Sequence, residues 1–260
     1  MKHWKKGIVA VLCATMVMGL AAGCGGSEQS ALDRVKANGV LVWGTNSEFP
    51  PFESKNGAGE VIGVDAEIMA KVAEKLGVEL QVEDMEFDSL PAALESGKID
   101  VIGAGYTEDE ERLQNMDFST KYFKAKQVVV VRKGDTSITS KDDLKNKKIG
   151  VQVGTTGDLE ASDIEGAEVS RNASMLLACQ DLKNGQVDAV IADSETMQYI
   201  LQNMSEDIEV VEDIVYDDEY YGLAVKKGES ELLDEINAVL QEMIDNGEID
   251  QLLIKYSAQG

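Results

Sequence analysis

Histidine is almost absent from this chain: there is one in 260 residues, alongside only three cysteines. That histidine, His3, sits in an N-terminal basic segment, so the rest of the chain has no imidazole and a histidine–cysteine zinc site is excluded. No metal and no cofactor is expected. Positive charge is also scarce, with 24 Lys and Arg against 48 Asp and Glu and a formal net charge of −24. A nucleic-acid partner is therefore excluded, because phosphate binding needs the opposite sign. An acidic field of this kind raises the local concentration of cationic small molecules, although most of the charges read as solvated surface. Aromatic residues make up only 5% of the chain, so any that flank a polar turn are informative. Long apolar runs are missing apart from Gly7 to Gly23, which is short for a membrane span of about 20 residues.

Lys2, Lys5 and Lys6 precede that apolar run, and Leu20-Ala21-Ala22-Gly23-Cys24 closes it with small residues before a cysteine. This is the layout of a secretory signal over residues 1–23. Leu20 to Cys24 resembles the lipobox of bacterial lipoproteins. The resemblance implies cleavage before Cys24, diacylation of its thiol, and an extracytoplasmic protein anchored to the outer face of the cell membrane. Residues 24–31, including Gly25-Gly26-Ser27-Glu28-Gln29-Ser30, read as a flexible tether. With Cys13 lost in the signal and Cys24 lipidated, Cys179 alone remains and no disulfide can form in the folded body. Its spacing between Leu176 and Leu182 makes it a small buried hydrophobe.

Behind the tether, short β-rich runs alternate with amphipathic helices, the pattern of an α/β protein with largely parallel sheets. Val40 to Gly44 reads as a buried strand. Asp65 is placed to cap a helix with the stripe Ile68, Met69, Val72, Ala73 and Leu76, stopped by Gly77 before a strand from Val78 to Val82. Asp88 is placed to cap the next helix, with Pro91 in its first turn, and Gly97 ends it before Ile99 to Ala104. A second series begins after the long strand Gln127 to Val131. It runs through strands at Lys148 to Val153, Ala167 to Val169 and Asp188 to Ile191, with helices between and after them. Tyr221 to Val225 and two closing helices, Ser230 to Asp245 and Glu248 to Tyr256, complete the chain. Two α/β units joined by extended segments suggest two lobes with a ligand cleft between them.

Several separate stretches then resemble the family 3 extracellular solute-binding proteins of bacterial ABC importers. They are Gly44 to Glu53, Glu86 to Leu94, Ser96 to Asp100, Ala104 to Thr107 with Glu111-Arg112, Asp117 to Ser119, Gly150 to Thr156, Asp188 to Ser194 and Tyr221 to Val225. The resemblance implies a type II periplasmic-binding-protein fold, with two α/β lobes joined by a two-stranded hinge. Lobe one is then 32–123 plus 220–260, and lobe two is 124–219. The implied partners are a free amino acid, the permease of an ABC importer, and the membrane through the lipid anchor, with the protein itself a monomer.

A zwitterion leaving water needs both ends repaired by the protein. Arg112 stands at the family's carboxylate-binding position and offers a planar fork of donors. Asp109 is placed to cap its short helix, and a surface ion pair is the plainer reading of Arg112. Asp193 matches the ammonium-binding aspartate, but is also placed to cap the helix at Ser194. Thr107 and the Gly105 backbone add polar contacts from lobe one, and Thr155 or Thr156 from lobe two, where Thr156 is also a candidate cap. Phe49 and Phe87 match aromatic positions that sandwich the ligand side chain, with core filling as the alternative. Asn46 replaces the aspartate that many polar-amino-acid binders carry, a lost charge that Glu48 or Glu86 could supply, while Gln152 does not decide the ligand's charge. The likeness of Asp84 to Asp88, Val151 to Asp158 and Tyr220 to Lys226 to arginine-type binders favours arginine or lysine over glutamine, cystine or other polar amino acids. A dehydratase on the same fold and a receptor's sensing lobe are the rivals. Keeping both Arg112 and Asp193, without histidine or a reactive cysteine, speaks against an enzyme.

Overall fold

The computed structural model describes residues 29–258. The expected signal segment, Cys24 and most of the expected tether lie outside them. The first helix, α1 (Ala31–Asn38), is capped by the Ser30 hydroxyl, which accepts the Asp33 N–H. The buried Ala31 thus falls inside the segment expected to be tether. There follow β1 (Val40–Thr45), β2 (Glu48–Phe49), β3 (Glu53–Lys55), β4 (Val61–Ile62), α2 (Val64–Leu76), β5 (Glu79–Asp84), α3 (Leu90–Glu95), β6 (Val101–Ile102), α4 (Arg112–Asn115) and β7 (Met116–Phe118). A ten-residue strand, β8 (Phe123–Arg132), leads into β9 (Lys148–Gln152), α5 (Thr156–Ser162), β10 (Glu168–Asn172), α6 (Met175–Lys183), β11 (Ala189–Asp193), α7 (Ser194–Met204) and β12 (Ile208–Val210). The chain returns through β13 (Asp218–Tyr221) to β14 (Ala224–Lys226), α8 (Ser230–Asp245) and α9 (Glu248–Ser257).

These elements make two α/β lobes. One sheet has the order β5-β1-β6-β14-β7 and the other β10-β9-β11-β8-β12, with a small β2-β3-β4 meander beside the first. The βαβ steps are parallel, as the alternation implies. Strands β14 and β8, by contrast, pair antiparallel with their neighbours, so both sheets are mixed. Strand β8 shows why one segment can serve two purposes. Its first half, Phe123 to Lys126, pairs with β13, and its second half, from Gln127, pairs with β11 and β12. Within that second half the period of two sends Val128 and Val130 to one face of the sheet and Val129 and Val131 to the other, where separate cores receive them. Strands β8 and β13 are the two strands of the hinge.

Each sheet is covered on both faces, the condition for parallel strands. The α2 stripe Ile68, Met69, Val72 and Ala73 is buried against β1 and α8, and Gly77 stops the helix in the left-handed conformation expected of it. Cys179 is fully buried in the second lobe, and burial pushes its thiol up to about 12, so it is an inert hydrophobe. Three expected caps differ. Gly63, not Asp65, holds the cap position of α2, and Asp65 lies buried inside the first turn. Asp88 falls within a 3₁₀ turn, Phe87–Ser89, ahead of α3 and caps nothing. Thr155, not Thr156, caps α5, accepting the Asp158 N–H.

Candidate functional site

The parallel strands of both lobes point their C-terminal ends at one another, the place where open α/β sheets expose loops and helix starts to a ligand. From β1, β6, β9 and β11 the chain emerges there at Asn46, Gly105, Gly154 and Asp193. Between them lies a cavity of about 10 Å³ lined by Phe49, Phe87, Gly105, Thr107, Arg112, Thr155, Thr156 and Asp193. All eight are among the eleven residues that the sequence singles out, drawn from positions 49 to 193. The volume holds about one water molecule. The lobes are therefore closed on each other, with no room between them for a solute much larger than water. A shallower groove of about 470 Å³ lies on the outer side of Phe87 and Arg112, lined also by Pro91, Leu94, Met116 and Leu159. It is larger but open to solvent, whereas the inner cavity is where buried charged groups meet.

Arg112 is fixed by its own turn. Asp109 Oδ1 accepts the backbone N–H of Glu111 and of Arg112, at 2.9 and 2.8 Å, so Asp109 closes the turn that leads into α4, while the cap position itself falls on Glu111 and not on Asp109 as expected. Asp109 Oδ2 pairs with Arg112 Nε at 3.2 Å. The guanidinium lies 4.0 Å above the Tyr106 ring and 5.7 Å from that of Phe87. Arg112 Nη1 donates to the Thr107 carbonyl at 2.7 Å, and Nη2 crosses the cleft to the Gly154 carbonyl at 3.0 Å. The side chain is 10% exposed, which removes it from the class of surface ion pairs.

Asp193 occupies the cap position of α7 without making a side-chain cap bond. Its Oδ1 accepts instead from the Tyr221 hydroxyl on β13. Burial, and after it the charge of nearby Glu219, pushes the Asp193 carboxyl up to about 7, against the pull of its hydrogen bonds to Tyr221 and Gln127 and the charge of Arg112. The buried carboxyl is thus held without a cation directly on it.

The threonines divide. The Thr155 hydroxyl donates to the Gln152 carbonyl at 2.9 Å and accepts the Asp158 N–H, so helix capping occupies it. The Thr156 hydroxyl donates to Glu219 at 2.8 Å, and the Thr107 hydroxyl donates to the same oxygen at 3.1 Å. Gly105 has φ +53°, and a Cβ there would lie 2.4 Å from the Phe49 ring, so glycine alone fits beside that aromatic. Its N–H donates to Asp65 Oδ2 at 3.0 Å and is not free for a ligand. Asp65 also accepts from the Tyr122 hydroxyl at 2.6 Å, and burial pushes its carboxyl up to about 6. Beside it Glu53 is fully buried, with neither oxygen accepting a hydrogen bond. Burial and the charges of Asp65 and Asp84 hold Glu53 well above the usual carboxylate range.

Three of the singled-out residues do not line the cavity. Asn46 Oδ1 accepts from Gln152 Nε2 at 2.9 Å, a second bond across the cleft, while Gln152 Oε1 is buried without a partner. Glu48 is exposed on β2, and Glu86, named as its substitute, is exposed as well. Glu219, Tyr221, Tyr106 and the Glu53–Asp65 pair are the residues that sequence reasoning passed over. Glu53 and Tyr221 stood inside recognised stretches, but nothing local marked what they touch.

A closed cleft between two α/β lobes, with a guanidinium on one side and a buried carboxyl on the other, defines a solute-binding protein of the type II periplasmic class. The chain belongs to the bacterial extracellular solute-binding proteins, family 3, whose family model matches residues 41–259. It is 34% identical over 265 residues to a "Probable histidine-binding protein" of Neisseria gonorrhoeae, covering 100% of this chain and 97% of that one. It is 32% identical to the arginine-binding extracellular protein ArtP of Bacillus subtilis, covering 97% of this chain and 98% of that one. Among solved structures, a mutant of the arginine-binding protein ArgBP from T. maritima superposes with a TM-score of 0.83 at 39% identity, covering 88% of this chain and 100% of that one.

Proposed function

We propose that the protein captures a free cationic amino acid, arginine or lysine, by closing its two lobes, and delivers it to an ABC importer. The observation that carries this is the approach of Arg112 and Asp193 to one buried cavity from opposite lobes. The ligand carboxylate takes donors of Arg112, and the ligand ammonium neutralises Asp193. Only closure serves both ends at once. A solute without an ammonium group would leave Asp193 buried without a counter-ion. The preference for a cationic side chain draws support from the net charge of −24 and from the arginine-binding relatives. The Phe49 ring beside Gly105 offers a face for a guanidinium, an interaction of about 0.5–2 kcal/mol.

The remaining parts of the reading follow from it. Lobe one comprises 32–123 and 220–260, and lobe two comprises 124–219. The signal over 1–23 is removed, Cys24 carries lipid, and the monomer stays on the outer face of the membrane. A Cys24→Ser variant is expected in the soluble fraction with its ligand binding intact, and membrane partitioning of that variant after signal removal would refute the anchor.

A thermal-shift screen of the twenty amino acids tests the ligand. Arginine and lysine are expected to raise the melting temperature most. Stabilisation by glutamine or cystine above both would overturn the cationic preference, and no shift with any amino acid would overturn the binding function.

A further inference from the structure

Glu219 lies in hinge strand β13, paired with Ala125 of β8, and was not among the residues expected at the site. One of its oxygens, Oε2, accepts from Thr107 Oγ1 of lobe one at 3.1 Å and from Thr156 Oγ1 of lobe two at 2.8 Å. The Gln127 amide approaches the same atom at 3.5 Å. Both threonines line the cavity with Asp193 and Arg112, while Glu219 itself stands behind them. A hydroxyl has one hydrogen to give, and a carboxylate can only accept. Once Thr107 and Thr156 each donate to Glu219, their oxygens have only lone pairs left for a ligand, and on Thr156 one of these already accepts from Gln127 Nε2 at 3.1 Å.

We propose that Glu219 is a positioning residue of the cleft, whose carboxylate turns one threonine hydroxyl from each lobe so that both present acceptors to the α-ammonium group of the ligand. The inference rests on the reading of the cleft as an amino-acid site. Arg112 offers donors and no acceptor. Glu219 makes two hydroxyls in the same cavity offer acceptors and no donor, so the polar groups sort a zwitterion end for end. A second consequence comes from its place in the hinge. The two hydroxyls reach one carboxylate oxygen only when the lobes approach, so the acceptor set is complete in the closed form alone.

Calorimetry on the processed protein with arginine and with 5-guanidinopentanoate, which is arginine without its α-amino group, tests this. Glu219→Gln keeps the shape of the side chain but removes the negative charge that holds both hydroxyl hydrogens on one oxygen, so either hydroxyl is free to turn its hydrogen toward the ligand. Arginine affinity is expected to fall by about ten-fold to a hundred-fold, the effect of one hydrogen bond to a charged group. Binding of 5-guanidinopentanoate is expected to stay within about two-fold of wild type, because it has no ammonium for those oxygens. Unchanged arginine affinity would overturn the proposal, and so would equal losses for both compounds, which are the mark of a merely structural role. If Glu219→Gln loses its cooperative melting transition, the double variant Thr107→Val and Thr156→Val replaces it with the same two expected outcomes. Should wild type bind another amino acid, that amino acid and its des-amino analogue form the pair. Wild type that binds no amino acid overturns the functional reading itself, whereas normal binding by wild type with a silent Glu219→Gln overturns only the role of Glu219.

Discussion

Replacing Arg112 separates what the residue does for the fold from what it does for the ligand. The side chain pairs with Asp109, stacks on Tyr106 and bonds to the Thr107 carbonyl. Whatever part of those contacts persists on binding cancels from the affinity, and its loss in Arg112→Ala should appear as a stability decrease of about 1–2 kcal/mol. The affinity loss has a different origin. The ligand carboxylate would be enclosed without its cation, and breaking a buried pair in this way costs about 3–5 kcal/mol. The bond from Arg112 Nη2 to the Gly154 carbonyl joins the lobes, and its loss weakens closure further. Titration calorimetry should therefore show affinity for arginine lowered by at least about a hundred-fold, while the melting temperature falls only a few degrees. Arg112→Lys keeps the charge but not the planar fork or the stack, and should recover only part of the loss. Affinity of Arg112→Ala within about three-fold of wild type would remove Arg112 from the site and, with it, the carboxylate half of the argument.

Asp193 is held near 7 by closure, so in the empty protein the closed population, read by fluorescence transfer between labels on the two lobes, should rise as pH falls from about 8 to about 5. Asp193→Asn should abolish that dependence, and an equal slope in the variant would exclude Asp193 as its source. Burial holds the Glu53 carboxyl well above the usual carboxylate range in the native protein and not in the unfolded chain, so its contribution to stability is present at low pH and is lost as pH rises above the ordinary glutamate range. Glu53→Gln should accordingly flatten the decline of melting temperature between about pH 5 and pH 8, and a decline as steep as that of wild type would show that the pair does not carry it. Gly105→Ala combines a left-handed backbone with a Cβ 2.4 Å from Phe49, and should lower stability by about 1–3 kcal/mol while weakening ligand binding; a neutral result by chemical denaturation would refute the close packing.

The parts of the fold that were legible in the sequence are those set by local chemistry. The helical stripe of α2, its glycine stop and the valine run of β8 each follow from spacing within a single segment. Site residues at the ends of strands were legible for a related reason: an aspartate closing a buried apolar strand, as Asp193 does, has few structural roles open to it. Residues whose partners lie far away in the chain were not legible. Asp65 precedes a helical stripe just as a cap does, yet its partners are Gly105 and Tyr122, 40 and 57 positions away. Glu219 lies in an acidic stretch that reads as solvated surface, and its contacts at Thr107 and Thr156 are 112 and 63 positions distant. Thr155 and Thr156 are adjacent and chemically equal. Only the direction in which the chain enters α5 decides which of them caps the helix and which faces the cleft.

On the proposed reading, the charges in the cleft would make a ligand favour the closed form. In an open cleft that exposed Asp193 to water, its carboxyl would return toward the ordinary value of 3.8 and be ionised at neutral pH. Closing on nothing carries it into a buried site beside Glu219, where its carboxyl is pushed up to about 7. Moving a carboxylate between those two values costs about 4 kcal/mol when the pH keeps it ionised. An α-ammonium group brought in with the ligand removes most of that cost, because the carboxylate then has its counter-ion on contact. Turning a closed population from 1 in 100 to 99 in 100 takes a preference of about 5.5 kcal/mol. Relief of one buried carboxylate is thus a large share of what the switch needs, and the pairing of the ligand carboxylate with Arg112 can provide the remainder. The same reasoning limits what can trigger closure. A solute lacking the ammonium leaves the penalty at Asp193 in place, so it can occupy the cleft without holding the lobes together, and an importer that recognises the closed form would not receive it.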